Sequence, residues 1–215
     1  MNNLPENYKK LYHNLVQYID KSRLLTSPLS TLTFGTDASF YRLIPKIVIK
    51  AKDVAEVSRI LKDCSASGIP VTFRAAGTSL SGQAISDSVL IIAGNGWKNH
   101  HILENGHKIR LEPGVIGAHA NNFLKPFQRK IGPDPASINA AMVGGIVANN
   151  ASGMCCGTAE NSYQTVESMK VLLHDGTLLD TADENSRHAF RMSHGKLLED
   201  LTQLARDIQS DSELS

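Results

Sequence analysis

The chain has 215 residues, 22 of them Lys or Arg and 21 Asp or Glu, for a formal charge of +1. That length can bury a core and suits one domain with appendages, and the near-neutral balance, with no basic block or interleaved aromatic stripe, argues against nucleic acid as a partner. No apolar run approaches the roughly 18 residues of a membrane span, and Met1-Asn2-Asn3-Leu4-Pro5 lacks the charged and apolar regions of a signal peptide, so a cytoplasmic location is expected.

Residues 1–33 are polar and mixed, and Leu11, Leu15 and Ile19 at four-residue spacing predict an amphipathic helix ahead of the main domain. Lys46 to Lys50 reads as a strand. Asp53 then caps a helix, Glu56 three residues on completes a capping box, and Val54, Val57, Ile60, Leu61 and Cys64 form the buried stripe as far as Gly68. Residues 70–74 return as a strand and complete a β-α-β unit. Val89 to Ala93 follows, and then a hairpin with arms at 101–104 and 107–112 meeting at Asn105-Gly106, a dipeptide suited to a type I′ turn. A helix near 116–125 carries Ile116, Ala120, Phe123 and Leu124 on one face and ends at Pro126. Thr165–Leu173 and Thr177–Asp180 form a second hairpin around Asp175-Gly176, and a last helix carries Leu197, Leu198, Leu201, Leu204 and Ile208.

The most informative stretch is the exit from the β-α-β unit, Arg74-Ala75-Ala76-Gly77-Thr78-Ser79-Leu80-Ser81-Gly82-Gln83-Ala84. Small residues after a β-branched strand leave backbone N–H groups bare for an anion, Gly77 and Gly82 can take φ > 0, and Thr78, Ser79 and Ser81 add hydroxyls. This is a nest for a diphosphate; the competing structural account is an ordinary small-residue turn. The spacing Gly77-x-x-x-x-Gly82 matches a P-loop, but Gln83 and Ala84 stand where that loop needs Lys and a hydroxyl, and no Gly-x-Gly-x-x-Gly opens a helix after the first strand. An ATPase and a Rossmann-type nicotinamide site are both disfavoured.

A second small-residue segment runs from Gly132 through Pro133, Asp134, Pro135, Met142, Val143, Gly144, Gly145, Ile146, Val147, Ala148, Asn149 and Asn150 to Gly153. The prolines stiffen an extended approach and the double glycine allows backbone contact at the start of a short apolar turn. Packing of an Ala/Gly helix against a sheet would account for it structurally; with the first loop it suggests two walls of one elongated cofactor groove. Cys64 falls on an apolar helical face, Cys155-Cys156 is adjacent and without a CxxC, and the odd count is no secreted disulfide framework. None of the eight histidines has metal-site spacing, so no metal is expected.

These motifs resemble the first part of the FAD-binding domain of the vanillyl-alcohol oxidase, or PCMH, type, and within it D-lactate and D-2-hydroxyglutarate dehydrogenases, above all the large bacterial proteins that continue into an iron–sulfur domain. The likeness runs from Phe34-Gly35-Thr36-Asp37-Ala38-Ser39 to about Asp180, with Gly-Pro-Asp-Pro-Ala-Ser and Gly-Gly-Ile-Val-Ala-Asn-Asn-Ala-Ser-Gly-Met-Cys-Cys-Gly-Thr its most specific part. It implies an α+β fold, a PCMH-type domain of two α/β subdomains present as an N-terminal fragment without the substrate (cap) domain. The division is then an N-terminal helical extension, 1–40, and a domain at 41–215 cut short at its C-terminal end.

By the same resemblance, Ala75, Ala76, Gly77, Thr78 and Ser79 hold the FAD pyrophosphate, with Gly82 and Gln83 closing the loop and Arg74 ending the strand that presents it. Pro133, Asp134, Val143, Gly144, Gly145, Ala148, Asn150 and Gly153 lie along the ribityl and diphosphate, and backbone near Val166 meets the adenine end. Relatives that tether FAD place a histidine where Thr78 stands, so the cofactor is expected to be non-covalent. Ile146 and Ser152 depart from the pattern of many simpler hydroxy-acid dehydrogenases, which have Asn and Gly there.

The implied function is oxidation of a D-2-hydroxy acid to the 2-oxo acid, with electrons passing to an iron–sulfur domain or a quinone-linked acceptor. The arginine for the substrate carboxylate and the His-type base are expected in a domain after this segment, so no catalytic residue is assigned within it. Substrate and acceptor are then partners reached through downstream domains, a peripheral seat at the inner membrane face is compatible with the resemblance, and self-association is left open. Two alternatives stand beside it: a non-catalytic flavin-binding module, and an enolpyruvyl sugar-nucleotide reductase using NADPH on the same fold.

Overall fold

The computed structural model describes residues 4–94 and 96–211. They form two compact units, one running to Val166 and including His174–Gly176, the other made of Glu167–Leu173 and the residues from Thr177.

The first unit is organised by a four-stranded sheet. In chain order it contains α1 (Glu6–Leu15), β1 (Leu24–Leu25), α2 (Pro28–Leu32), β2 (Ile47–Lys50), α3 (Val54–Ala66), β3 (Val71–Arg74) and β4 (Val89–Ile92). The strand order is β1-β2-β4-β3, with β2, β4 and β3 parallel and β1 antiparallel to β2. The β2-α3-β3 crossover therefore leaves a gap of one strand, which β4 fills. Ile47, Val48 and Ile49 of β2 and Val89, Leu90 and Ile91 of β4 are completely buried, as near-continuous apolar runs in central parallel strands should be. Each such side chain contributes about 1.5–3 kcal/mol.

The N-terminal helix is built into this unit instead of standing ahead of it. Leu11 and Leu15 are completely buried, α1 packs on α3, and the Tyr8 hydroxyl shares a 2.7 Å hydrogen bond with Ser88 before β4. The contacts divide the chain at Val166 and not near residue 40, because the apolar stripe of α1 finds α3 to cover it.

Helix α3 starts where Asp53 predicts: its Oδ1 accepts from the Glu56 amide at 2.8 Å. The return half of the capping box is displaced by one residue. Glu56 accepts from the Lys52 amide at 2.7 Å and meets the Arg23 guanidinium with both oxygens, at 2.6 and 2.7 Å. Val57, Ile60, Leu61 and Cys64 are buried as expected, whereas Val54, at the first helical position, is 37 % exposed. Burial pushes the Cys64 thiol up to about 12, which keeps it an unreactive core group.

Beyond β4, β5 (His100–Leu103) and β6 (Lys108–Leu111) pair antiparallel with Leu103 opposite Lys108. Their connection turns on Asn105-Gly106 as expected of a type I′ turn: these two residues take positive φ, 52° and 83°, and the His107 amide donates to the Glu104 carbonyl at 3.1 Å. Glu104 also takes positive φ, 49°, so the ladder itself ends at Leu103 and Lys108, and Gly106 is pressed against the Phe127 ring. His100 lies flat on Phe123, centroids 3.6 Å apart, a packing role. Helix α4 (Gly117–Leu124) buries Ala120 and Leu124, and Pro126 sits in the short turn that ends it. Two short helices complete the unit, α5 (Val143–Ala148) and α6 (Ser162–Thr165).

In the second unit β7 (Lys170–Leu172) and β8 (Leu178–Asp180) pair antiparallel, so the first arm of the expected hairpin begins at Lys170 and not at Thr165. Two helices follow. Sequence reasoning missed α7 (Glu184–Ser193), whose cap is the Asp183 carboxylate accepting from the Asn185 amide at 3.0 Å. In α8 (Gly195–Ser210) the expected stripe is present but uncovered: Leu197, Leu201, Leu204 and Ile208 are 40–55 % exposed. No described helix is long and apolar enough to cross a membrane.

Candidate functional site

β3 delivers Arg74 to the head of an irregular loop that runs until the chain turns back towards β4. Gly77 and Gly82 take φ of 73° and 74°, the left-handed region that small-residue loops need to curl around an anion. Among the described residues, no acceptor takes the backbone N–H of Ala75, Ala76, Gly77, Thr78 or Ser79. The five successive residues are half-buried, and a run of main-chain donors with no protein acceptor is what an anion-binding loop presents. A diphosphate would supply the missing acceptors.

The hydroxyls divide their work. The Ser79 hydroxyl donates to Gln83 Oε1 at 2.6 Å and accepts from the amides of Ser81 and Gln83, so it shapes the loop from within. Thr78 stays half-buried. Arg74 turns its guanidinium away from the open side: Nη1 donates to the Thr36 carbonyl at 2.7 Å, and the group lies where a Cβ on Gly77 would come within 2.5 Å of it. Burial lowers the Arg74 pKa and the Asp37 charge partly restores it, so the cation stays charged beneath the loop.

The second segment is anchored before it turns. The Val143 amide donates to the Val115 carbonyl at 2.8 Å and the Gly144 amide to the Pro113 carbonyl at 2.9 Å. At Gly144 a Cβ would meet Pro113 Cβ at 2.6 Å, so that glycine is required by packing. Gly145 is different. Nothing lies within 4 Å of the place its Cβ would occupy, and Gly145, Ala148 and Asn149 are exposed together on one face of α5, at i, i+3 and i+4. Ile146 points the other way and is buried, which accounts for the apolar residue at a position where Asn was the expected type.

After α5 the chain folds back on the Pro133–Pro135 turn. The Asp134 Oδ1 accepts from the Cys156 amide at 3.1 Å, the Gly153 amide donates to the Cys156 Sγ at 3.0 Å, and a Cβ on Gly153 would lie 2.0 Å from the Asp134 carbonyl oxygen. The Cys156 thiol and amide hold the Asp134 carboxyl below the usual carboxylate range. Cys156 is buried and Cys155 exposed, both as free thiols, so the pair serves structure through Cys156. Asn150 takes φ 46° and its Oδ1 accepts from the Tyr163 amide, while Val166 ends α6 at the limit of the unit.

The two small-residue segments meet. Asn149 Nδ2 donates to Gln83 Oε1 at 3.3 Å, 66 positions apart, so the open face of α5 and the amide-bearing loop share one side of the first unit. Asn149 and Asp37 are the residues that sequence reasoning left out. Asn149 was hidden because its partner is remote, and Asp37 stood in the quoted Gly-Thr-Asp-Ala-Ser run without a role. Among the described residues no group of three or more His, Cys, Asp and Glu could hold a metal ion.

A parallel β-α-β unit ending in bare amides, joined to a glycine-studded helical face, defines a dinucleotide-binding domain of the flavin type. The chain belongs to the FAD binding domain family, whose model matches residues 45–182. It is 31 % identical over 161 residues to D-2-hydroxyglutarate dehydrogenase of Escherichia coli K12, covering 73 % of this chain and 16 % of that protein. It is 35 % identical over 120 residues to the glycolate oxidase subunit GlcD of the same organism, covering 55 % of this chain and 24 % of that one. Among solved structures, alkyldihydroxyacetonephosphate synthase superposes with a TM-score of 0.71 at 15 % identity, over 86 % of this chain and 38 % of that one. p-Cresol methylhydroxylase gives 0.67 at 15 % over 84 % and 36 %. These likenesses establish the PCMH-type fold and FAD as the cofactor. The chain spans about one sixth of the length of the D-2-hydroxyglutarate dehydrogenase it matches.

Proposed function

We propose that this chain is the FAD-binding portion of a flavin-dependent dehydrogenase that oxidises a D-2-hydroxy acid, D-lactate or D-2-hydroxyglutarate, to the 2-oxo acid and passes the electrons to an iron–sulfur domain or a quinone-linked acceptor. The observation that carries the reading is the Gln83–Asn149 hydrogen bond, which joins the unspent amides of residues 75–79 to the open face of Gly145 and Ala148. The residues fit the group: an anion needs donors, and a planar ring or chain needs a face without side chains.

In this reading Ala75, Ala76, Gly77, Thr78 and Ser79 bind the diphosphate through main-chain N–H groups, with Gln83 and Gly82 closing the loop. Gly145 and Ala148 line the flavin side, with Pro133, Asp134, Val143, Gly144, Asn150 and Gly153 shaping that wall, and Val166 stands at the adenine end. Bound FAD supplies the acceptor for the two electrons that leave with the C2 hydrogen of the hydroxy acid. The chain's own work is to hold and orient that acceptor; the carboxylate-binding arginine and the base that removes the hydroxyl proton are assigned outside it. Thr78 offers no histidine for a tether, so FAD is held without a covalent bond.

The test has two parts. Titration of the chain with FAD, followed by flavin fluorescence, should show saturable binding, and acid precipitation should leave the flavin in the supernatant; a yellow pellet defeats the non-covalent assignment. A panel of D- and L-2-hydroxy acids with a dye acceptor, run on the protein as the cell makes it, should show activity with D-acids only, and reduction by NADPH instead would overturn the dehydrogenase reading.

A further inference from the structure

The diphosphate loop is held from outside by a segment that precedes the residues matching the family model. Three contacts run between Thr36–Ala38 and the loop. The Ala38 amide donates to the Gly77 carbonyl at 3.0 Å, the Thr36 carbonyl accepts from Arg74 Nη1 at 2.7 Å, and the Asp37 Oδ2 accepts from the Ala84 amide at 3.4 Å. The other carboxylate oxygen of Asp37 accepts from the Ser39 amide at 2.9 Å, which folds the segment itself. One side chain and its two neighbours thus touch the start, the turn and the end of the loop.

The physical need is plain. A run of small residues loses much backbone freedom when ordered, and the five N–H groups of residues 75–79 make no backbone bond that would hold them. A loop that must be ordered by its ligand binds it more weakly than one already ordered. We propose that Asp37 is a positioning residue for cofactor binding: through Ser39 and Ala84, beside the charged Arg74, it clamps the 75–84 loop in the conformation that presents its amides to the FAD diphosphate. Asp37 itself touches no cofactor in this assignment. The inference rests on the reading of the loop as the diphosphate site.

The test compares Asp37→Ala and Asp37→Asn with the wild-type chain by two measurements. Hydrogen exchange without FAD should show the amides of residues 75–84 exchanging at least tenfold faster in Asp37→Ala, with those of β4 unchanged, and Asp37→Asn, which keeps one acceptor oxygen, falling between. FAD affinity should drop at least tenfold in Asp37→Ala and less in Asp37→Asn. Glu56→Gln, a destabilising change in the first turn of α3 whose partners Arg23, Lys52 and Asp53 lie outside both the 36–39 segment and the loop, serves as the control and should leave FAD affinity within twofold. Unchanged loop exchange in both Asp37 variants, or a drop in affinity equal to that of the Glu56→Gln control, overturns the clamp. Gly145→Ala separates the two claims: if it weakens FAD while the Asp37 variants do not, the site stands and the clamp falls, and if none of them alters FAD binding, the site assignment itself fails.

Discussion

Neighbouring glycines with opposite reasons for being glycine give the sharpest test of the site. At Gly144 an added Cβ would sit 2.6 Å from Pro113 Cβ, and the amide is committed to the Pro113 carbonyl at 2.9 Å. Gly144→Ala therefore overpacks a fixed contact and should cost about 1–3 kcal/mol of stability. At Gly145 the same methyl meets nothing within 4 Å, and the residue lies inside α5 with its amide bonded to the Met142 carbonyl. Removing a glycine from a helix interior restricts the unfolded chain, so Gly145→Ala should stabilise by about 0.5–1 kcal/mol. The methyl then occupies the face shared with Ala148 and Asn149, and FAD affinity should fall tenfold or more. Urea denaturation and flavin fluorescence titration on the two variants read both signs. If Gly145→Ala raises stability and leaves FAD affinity within twofold of wild type, the open face is not a wall of the cofactor site.

Three further outcomes follow from other contacts. Gly153→Ala should lose about 1–3 kcal/mol in urea denaturation, because its Cβ would lie 2.0 Å from the Asp134 carbonyl, a backbone atom with little freedom to move. Glu56→Gln should lose about 1–3 kcal/mol by the same assay, since it weakens a bidentate pair with Arg23 and a bond from the Lys52 amide, around a carboxylate only 9 % exposed. For acid stability, burial pushes the Asp37 carboxyl up, and the Ser39 hydroxyl and amide, the Ala84 amide and the Arg74 charge together outweigh it and hold the pKa below its ordinary value. A group whose folded pKa is depressed stabilises fully above its unfolded value of about 3.9 and loses that contribution as pH falls through the folded value. The difference in urea midpoint between wild type and Asp37→Asn should therefore be present at pH 7 and shrink below about pH 4.

What could be read directly from the residues was local. The β2-α3-β3 unit was legible because its apolar stripe, the Asp53 cap and the stop at Gly68 all act within one or two helical turns. The amide loop was legible because glycine and small residues have few other reasons to follow a strand. The order β1-β2-β4-β3 was not, since nothing in the residues between β3 and β4 states that β4 inserts beside β2. Helix α7 escaped because only Phe190 is buried along Glu184–Ser193, too little for a periodic stripe. The Asn105-Gly106 turn was legible because its positive-φ conformation is set by the two residues themselves. Likewise the two walls of the site could be named, but the bond that joins them lies between side chains 66 positions apart.

The two-residue strand β1 has a consequence out of proportion to its size. It is the neighbour that occupies the outer side of β2, and β2 carries Ile47, Val48 and Ile49 with no polar residue among them. A chain shortened to begin at residue 41 would strip away that partner and the helix α1 together, leaving an unprotected apolar edge whose free amides and carbonyls can recruit strands from other molecules. Such a shortened piece should precipitate on refolding while the longer chain stays dispersed, so the first 40 residues act as a guard against aggregation as well as a source of core.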